Sequence, residues 1–325
     1  MKEFLDLIRW RNLLMVILTM VLMRYAIIAP IIGKLSIVLN SGKEAQMQLQ
    51  LPLFDFILLV LATVLITAGG YVINDYFDIK ADLINRGKVI VGTRIPRRKA
   101  IMWHSILNVA GVLTGFYISW RAGYTMMGAL FLIVSGLLYF YSASYKRQFL
   151  IGNIIVALLT AMVPMLVALY EWPALYRFYA RNAVTPPDID FILYWVGAFA
   201  IFAFLTTLAR EIIKDIEDFE GDLEYGRNTV PVVTGIVPAK IISISIVAVV
   251  IALIYIAWHF YVNDSITLIY TSIAIVVPLV YVIFQVLIGK SREDLHSASR
   301  FMKIAMLTGI LYSVVVKIIL TWNLL

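Results

Sequence analysis

The sequence predicts an all-α, polytopic membrane bundle of nine transmembrane helices, and three observations carry that expectation. Hydrophobic residues make up 62% of the 325-residue chain and charged residues only 14%, with a mean hydropathy of +0.91. A soluble domain of this length needs far more charge to cover its surface. Apolar stretches of about 20 residues, the length that crosses a bilayer core of ~30 Å, recur over 10–32, 53–72, 99–119, 123–142, 149–170, 190–210, 236–259, 266–288 and 300–322. Finally, one acidic motif occurs twice, each time just after an apolar stretch.

The elements follow in order. Asp6, Arg9 and Arg11 precede the first stretch and no small-residue cleavage site follows it cleanly, so it reads as a retained span. The connections 33–52 and 171–189 contain Gly, Ser, Asn and Pro and are expected to be surface loops, with Pro186 and Pro187 marking the start of the sixth span. There are no cysteines, which excludes disulfides and thiolate metal sites. Trp10, Trp120, Tyr170, Trp172, Trp258 and Trp322 are expected in interfacial belts.

The positive-inside rule sets the orientation. With a cytoplasmic N-terminus, the outer loops carry Lys34, Lys43, Arg121, Arg177 and Arg181, while Arg24 and Lys317 fall inside spans. The other Lys and Arg of the total of 27 all face the cytoplasm. The net charge of +7 is thus a topology signal and implies no nucleic-acid partner.

The repeat organises the chain. Asp75, Asp78, Asp82 and Leu83 after the second span match Asp215, Asp218, Asp222 and Leu223 after the sixth, both as D-x-x-D-x-x-x-D-L. Four spans separate the copies, and an even number returns the chain to the same side of the membrane. The repeat is therefore parallel: a single domain over 1–325, with one pseudo-repeat over about 10–148, another over about 149–290 and a final helix over 300–322. On a continuous helix each trio of aspartates falls within about a 60° arc, with Glu211 beside the second trio. Two carboxylates ~6 Å apart repel by roughly 3 kcal/mol at an effective dielectric near 20. Converging stripes of this kind call for cations, and hard oxygen ligands that share an ion with substrate phosphates suit Mg²⁺. Arg86, Lys88, Arg94, Lys146, Arg147, Lys214 and Arg227 surround the motifs and suit a cationic clamp on a phosphorylated leaving group.

These motifs resemble the UbiA-type intramembrane prenyltransferases. The resemblance rests on N-D-x-x-D-x-x-x-D from Asn74 to Asp82, Asn85-Arg86 beyond it, Tyr141 with Lys146-Arg147 after the fourth span, and the second acidic motif. It implies nine spans around a central cavity, open sideways to lipid and capped by cytoplasmic helical loops. It further implies that Asn74, Asp78 and Asp82, with Asp218 and Asp222 opposite, hold two Mg²⁺ that bridge a prenyl diphosphate. Asp75 and Asp215 join the metal set as less regular members. Tyr141, Lys146, Arg147 and Lys214 contact the substrate, Lys146 taking part in the chemistry. The segment Arg210 to Asp222 is most similar to the digeranylgeranylglyceryl phosphate synthase branch, which adds a second prenyl chain to a glycerol phosphate ether lipid. One departure stands out: the family's proline-rich R-P-x-R-P-x-x-x-G is here Arg86-Gly87-Lys88-Val89-Ile90-Val91-Gly92-Thr93-Arg94, about one residue shorter.

Several residues lie outside the motifs. Arg24 inside the first span is read as a substrate contact or one half of a buried pair, since a bare charge there costs at least ~3 kcal/mol. Arg9 and Arg11, next to Asn12 and uncommitted to either motif, are candidates for a phosphate-bearing acceptor. Asn153 is expected to bond another helix or, alternatively, to contact substrate, and His104, His259 and His296 form no metal spacing. An aromatic acceptor of the quinone, tocopherol or chlorophyll type is the alternative. A cation-coupled transporter is a distant one, because such proteins place their acids near the midplane of inverted repeats.

Overall fold

The computed structural model describes residues 2–79 and 89–322. Among them nine helices are long and apolar enough to cross a membrane: Trp10–Ile32, Leu53–Phe77, Arg97–Arg121, Thr125–Ala143, Ile151–Asn182, Phe191–Glu217, Ile236–Val262, Ser265–Ile288 and Arg292–Trp322. The chain is a multi-pass membrane protein. Large apolar side chains such as Leu113, Ile133, Val237 and Ile273 point outward, where an acyl phase rather than water accommodates them.

Inside, two apolar clusters divide the bundle. One gathers Met20, Leu59, Leu175 and their neighbours from the first, second and fifth spans; the other gathers Ile213, Leu279 and Met302 from the sixth, eighth and ninth. Close approach supplies much of the packing, because lipid gives helices little hydrophobic reason to associate. Gly111 and Gly115 form a G-x-x-x-G step on the third span, and a Cβ at Gly111 would lie 2.6 Å from Ile66 Cγ1 of the second. Polar contacts join the same layer. Ser135 Oγ donates to Asn108 Oδ1 at 2.6 Å, and His104 Nδ1 lies 3.0 Å from the carbonyl of Gly69.

Helix ends differ from the apolar stretches in ways that matter for function. The second and sixth spans continue to Phe77 and Glu217, so Asn74, Asp75 and Asp215 are helical while Asp78 and Asp218 cap the ends. The ninth begins at Arg292, bringing Arg292, His296, Arg300 and Lys303 onto a single helix.

The connection 171–189 is not the expected loop, because the fifth helix runs on to Asn182 through Pro164 and Pro173. Its extra turns are a dock for the other connection. Residues Ser36–Val38 and Glu44–Gln46 pair as a short antiparallel hairpin, and the strand that leaves it lies against the fifth helix. Glu171 accepts from the amides of Gln50 at 2.6 Å and Leu51 at 3.0 Å, and the Tyr179 hydroxyl accepts from Gln48 N at 2.8 Å. Tyr170 is likewise no belt residue. It is buried with its hydroxyl 2.6 Å from Ser119 Oγ.

Arg24 also finds its role here. It sits on a π-helical turn, Met23–Ile28, that widens the first span. Its guanidinium lies 3.6 Å from Glu171, donates to the Leu51 carbonyl and covers the Phe56 ring at 4.5 Å. Removing one partner of a buried pair strands the other charge, at about 3–5 kcal/mol. Glu171→Leu is therefore expected to lower stability in detergent by about that amount, and the double variant Arg24→Leu/Glu171→Leu to recover part of the loss. Strictly additive losses in denaturant titrations would refute the pairing.

Candidate active site

A cavity of about 1830 Å³ opens at the end of the bundle where the second and sixth helices stop. Its depth is apolar, with Met23, Ile66, Phe131, Leu166 and Phe202 on the wall, and its mouth is charged. Ordinary ligand pockets hold roughly 300–1,000 Å³, so this one has room for long-chain substrates.

The first motif is built from the last turn of the second span. Asn74 and Asp78, four residues apart, lie on one side of that turn and face the cavity. Lys146, on a 3₁₀ turn Tyr145–Arg147 after the fourth span, reaches both, with Nζ 2.5 Å from Asp78 Oδ1 and 3.2 Å from Asn74 Oδ1. Asp75 accepts from Arg9 Nη2 at 2.7 Å, and the same guanidinium lies over the Tyr71 ring at 5.0 Å. Arg9 is thus committed to the motif after all. Asp82, Asn85, Arg86 and Lys88 lie outside the described residues.

The second motif is broken rather than continuous. Asp215 lies in the last turn of the sixth span and accepts from Asn153 Nδ2 at 2.8 Å. Asp218 caps that span and accepts from Arg292 Nη2 at 3.0 Å. A separate short helix, Phe219–Glu224, then carries Asp222. The expected single-face stripe therefore does not form. The aspartates converge because the chain turns at Asp218, not because one helix presents them all.

One side chain joins the copies. Arg227 donates through Nη1 to Asp222 Oδ1 at 3.1 Å and through Nη2 to Asp78 Oδ1 at 2.8 Å. Gly226 precedes it with φ +63°, a left-handed turn that a glycine makes without strain. A backbone bond from Asn228 N to the Arg147 carbonyl at 2.9 Å fastens the same loop to the turn that carries Lys146. Burial alone would raise the Asp78 carboxyl, but Lys146 and Arg227 hold it below the usual carboxylate range. Burial raises Asp222 to about 6, with Arg227 acting against the rise and Asp218 adding to it.

Among the other expected residues, Tyr141, Lys214, Arg11 and Asn12 line the cavity. Lys214 pairs with Glu211 at 3.0 Å, and Arg11 stacks over the Trp10 ring at 5.7 Å. Arg94 and Arg147 are exposed and do not line it, and Arg24 does not either. Sequence reasoning missed Arg292, hidden within the basic topology signal, and His296; Asn153, expected to bond another helix, does so through Asp215 of the sixth span.

The donor set suits Mg²⁺ in chemistry: carboxylates and an amide oxygen, with no soft or nitrogen ligand among them. No group of three acids forms a ready-made metal cage among the described residues. That accords with an ion that takes one or two carboxylates and completes its shell from substrate phosphates and water.

Comparison with known proteins agrees with this construction. The model of the UbiA prenyltransferase family matches residues 45–307. A digeranylgeranylglyceryl phosphate synthase from Methanosphaera stadtmanae is 30% identical over 258 residues, 78% of this chain and 85% of that protein. A solved structure from work on digeranylgeranylglyceryl phosphate synthase in membranes superposes with a TM-score of 0.63 at 22% identity, covering 96% of this chain and 98% of that one. A UbiA homologue from Archaeoglobus fulgidus bound to GPP and Mg²⁺ gives 0.52 at 16% identity, covering 96% and 99%. The two structural likenesses establish the fold. With its two acidic motifs meeting at the mouth of a membrane-embedded cavity, the chain belongs to the UbiA prenyltransferase family.

Proposed function

We propose that this prenyltransferase moves a geranylgeranyl group from its diphosphate to the free hydroxyl of geranylgeranylglyceryl phosphate, with Mg²⁺ as cofactor. The observation that carries the reading is the meeting of Asp78 and Asp222 across one guanidinium, at the mouth of an apolar cavity large enough for two lipids. The name of the Methanosphaera relative supports the acceptor, and the Mg²⁺ and GPP in the Archaeoglobus structure support the cofactor and the donor class.

In this reading Asn74, Asp78 and Asp82 hold one ion and Asp218 and Asp222 a second. Two bound Mg²⁺ would neutralise the diphosphate and make it a better leaving group. Lys146 and Arg227 add positive charge where the diphosphate oxygens gather. As the allylic C1–O bond breaks, its electron pair leaves with diphosphate. A lone pair of the acceptor hydroxyl forms the new C1–O ether bond, and the hydroxyl proton passes to a diphosphate oxygen or to water. No strong base is required, because proton loss follows bond formation. The apolar wall excludes water that would otherwise trap the allylic cation.

Activity should therefore need both motifs and the metal. Asp78→Ala and Asp218→Ala are expected to lose about 10²-fold or more in turnover while remaining monodisperse, and excess chelator to abolish turnover in the parent. Undiminished product formation in any of these cases would end the two-motif proposal.

The motif end is assigned to the cytoplasm by the Lys and Arg bias of the loops. Cysteines introduced at exposed Thr93 and Glu224 should both label only from the cytoplasmic side, in a background that has no cysteine of its own. Labelling of the two sites from opposite sides would contradict a parallel repeat.

The acceptor is tested with a panel of geranylgeranylglyceryl phosphate, 4-hydroxybenzoate and dihydroxynaphthoate, each with geranylgeranyl diphosphate and Mg²⁺. The glycerol phosphate should be the efficient substrate. Efficient prenylation of an aromatic acceptor with the glycerol phosphate ignored would overturn the lipid reading and leave prenyl transfer standing.

A further inference from the structure

The cations of the cavity are not evenly matched. Lys146, Arg227 and Arg292 each pair with an aspartate of the motifs. Arg210 and Lys214, further back on the sixth span, share one carboxylate, that of Glu211, at 2.8 and 3.0 Å. The Arg210 Nε is buried with no hydrogen-bond partner. The ninth span packs against the sixth and presents Lys303 to the cavity. Lys303 makes no ion pair among the described residues. The charged groups nearest in effect to it include the cations Arg210, Lys214 and Arg9 and the carboxylate of Glu211, while Asp215, beside Lys214, belongs to the second motif and accepts from Asn153. Arg9 is balanced by Asp75.

Arg210, Lys214 and Lys303 therefore line the cavity around one carboxylate outside the motifs, that of Glu211; with Asp215 counted in the metal-holding motif, two positive charges are in surplus. Like charges ~6 Å apart repel by roughly 3 kcal/mol at an effective dielectric near 20, so such a group in a membrane bundle calls for an anion. A phosphate monoester carries about −1.5 to −2 at neutral pH, which matches the surplus; an aromatic carboxylate carries half of that. Position agrees with charge. At 1.5 Å per residue, Arg210 lies about 12 Å along the sixth span from Asp218, and Lys303 about 16 Å along the ninth from Arg292. Since Arg292 and Asp218 are in contact, the two cations fall at a similar depth behind the motifs. Displacement at an allylic carbon places the leaving diphosphate on one side of C1 and the attacking hydroxyl on the other. The acceptor's phosphate, two carbons beyond that hydroxyl, then belongs on the side away from the motifs.

We propose that Lys303, together with Arg210 and Lys214, forms a second anion site that binds the phosphate of the acceptor and selects phosphate-bearing lipids over neutral or carboxylate acceptors. Arg300, one turn nearer the mouth on the same helix and also without an ion pair among the described residues, lies on the way in. The site rests on the lipid-acceptor reading above.

The test compares the parent enzyme with Lys303→Gln and Lys303→Arg, using geranylgeranyl diphosphate, Mg²⁺ and geranylgeranylglyceryl phosphate. A charge-assisted hydrogen bond lost from the acceptor should raise its KM about tenfold or more. The KM of the donor should change far less, and Lys303→Arg should restore most of the acceptor affinity. An acceptor KM unchanged in Lys303→Gln, or donor and acceptor KM rising together, would overturn the site. Should Lys303→Gln fail to stay monodisperse, the parent enzyme decides the matter with the methyl-esterified acceptor and with neutral geranylgeranylglycerol. A KM about tenfold higher for both supports the site, and equal KM values reject it. If the parent ignores the glycerol phosphate and prenylates 4-hydroxybenzoate, the acceptor reading itself has failed. If it uses the glycerol phosphate with a KM indifferent to Lys303, only the phosphate site has.

Discussion

The Arg227 guanidinium holds the active end of this protein together. Two halves of the chain each bring acidic side chains to one end of the bundle, where their charges would drive them apart. Arg227 donates to Asp78 from one half and Asp222 from the other, residues 149 and five positions away from it in sequence. The planar, forked geometry of a guanidinium suits two separately placed carboxylates in a way that an ammonium does not. Lys146 adds a point charge on the same Asp78 oxygen, and Arg292 matches Asp218. The acids can be buried and close because each has a cation within reach.

Much of this could be read directly from the residues. Nine apolar stretches fixed the class of fold, and the duplicated D-x-x-D-x-x-x-D-L marked the site before any geometry was known. The missing parts share a physical cause. Hydrophobicity marks where a helix lies in lipid, not where it ends, so the polar start of the ninth span went unseen. The stripe argument assumed one unbroken helix, whereas Asp218 ends one and Asp222 belongs to the next. Arg24 announced that it needed a partner. Nothing local in the sequence pointed to Glu171, which lies on turns that composition assigned to a loop. Arg292 was submerged among residues whose charge already had an explanation in topology, and Arg227, read as one clamp cation among several, gave no local sign that it would join the two motifs.

Electrostatics divides the cavity by depth. Near its mouth, the carboxylates of the motifs are matched by cations. Further back, around Glu211, cations are in the majority. A metal-bound diphosphate suits the first region and a bare phosphate the second. The separation follows from helical rise along the sixth and ninth spans, so the spacing of the two charged regions is written into rigid helices rather than loops.

The far end of the bundle carries a different consequence. Behind the cavity, the wall of Met23, Ile66 and Phe131 gives way to closely packed side chains such as Met20, Ile28 and Leu59. Beyond these the Arg24–Glu171 pair pins the hairpin connection against the fifth helix. A protein with so many charges facing an internal space could short-circuit its own membrane if that space ran through. Past the wall, Arg24 and Glu171 face each other and bond the backbone of Gln50 and Leu51. The packed far end is therefore a dielectric partition: it sets a closely packed, apolar layer between the charged chamber and the opposite face of the bundle.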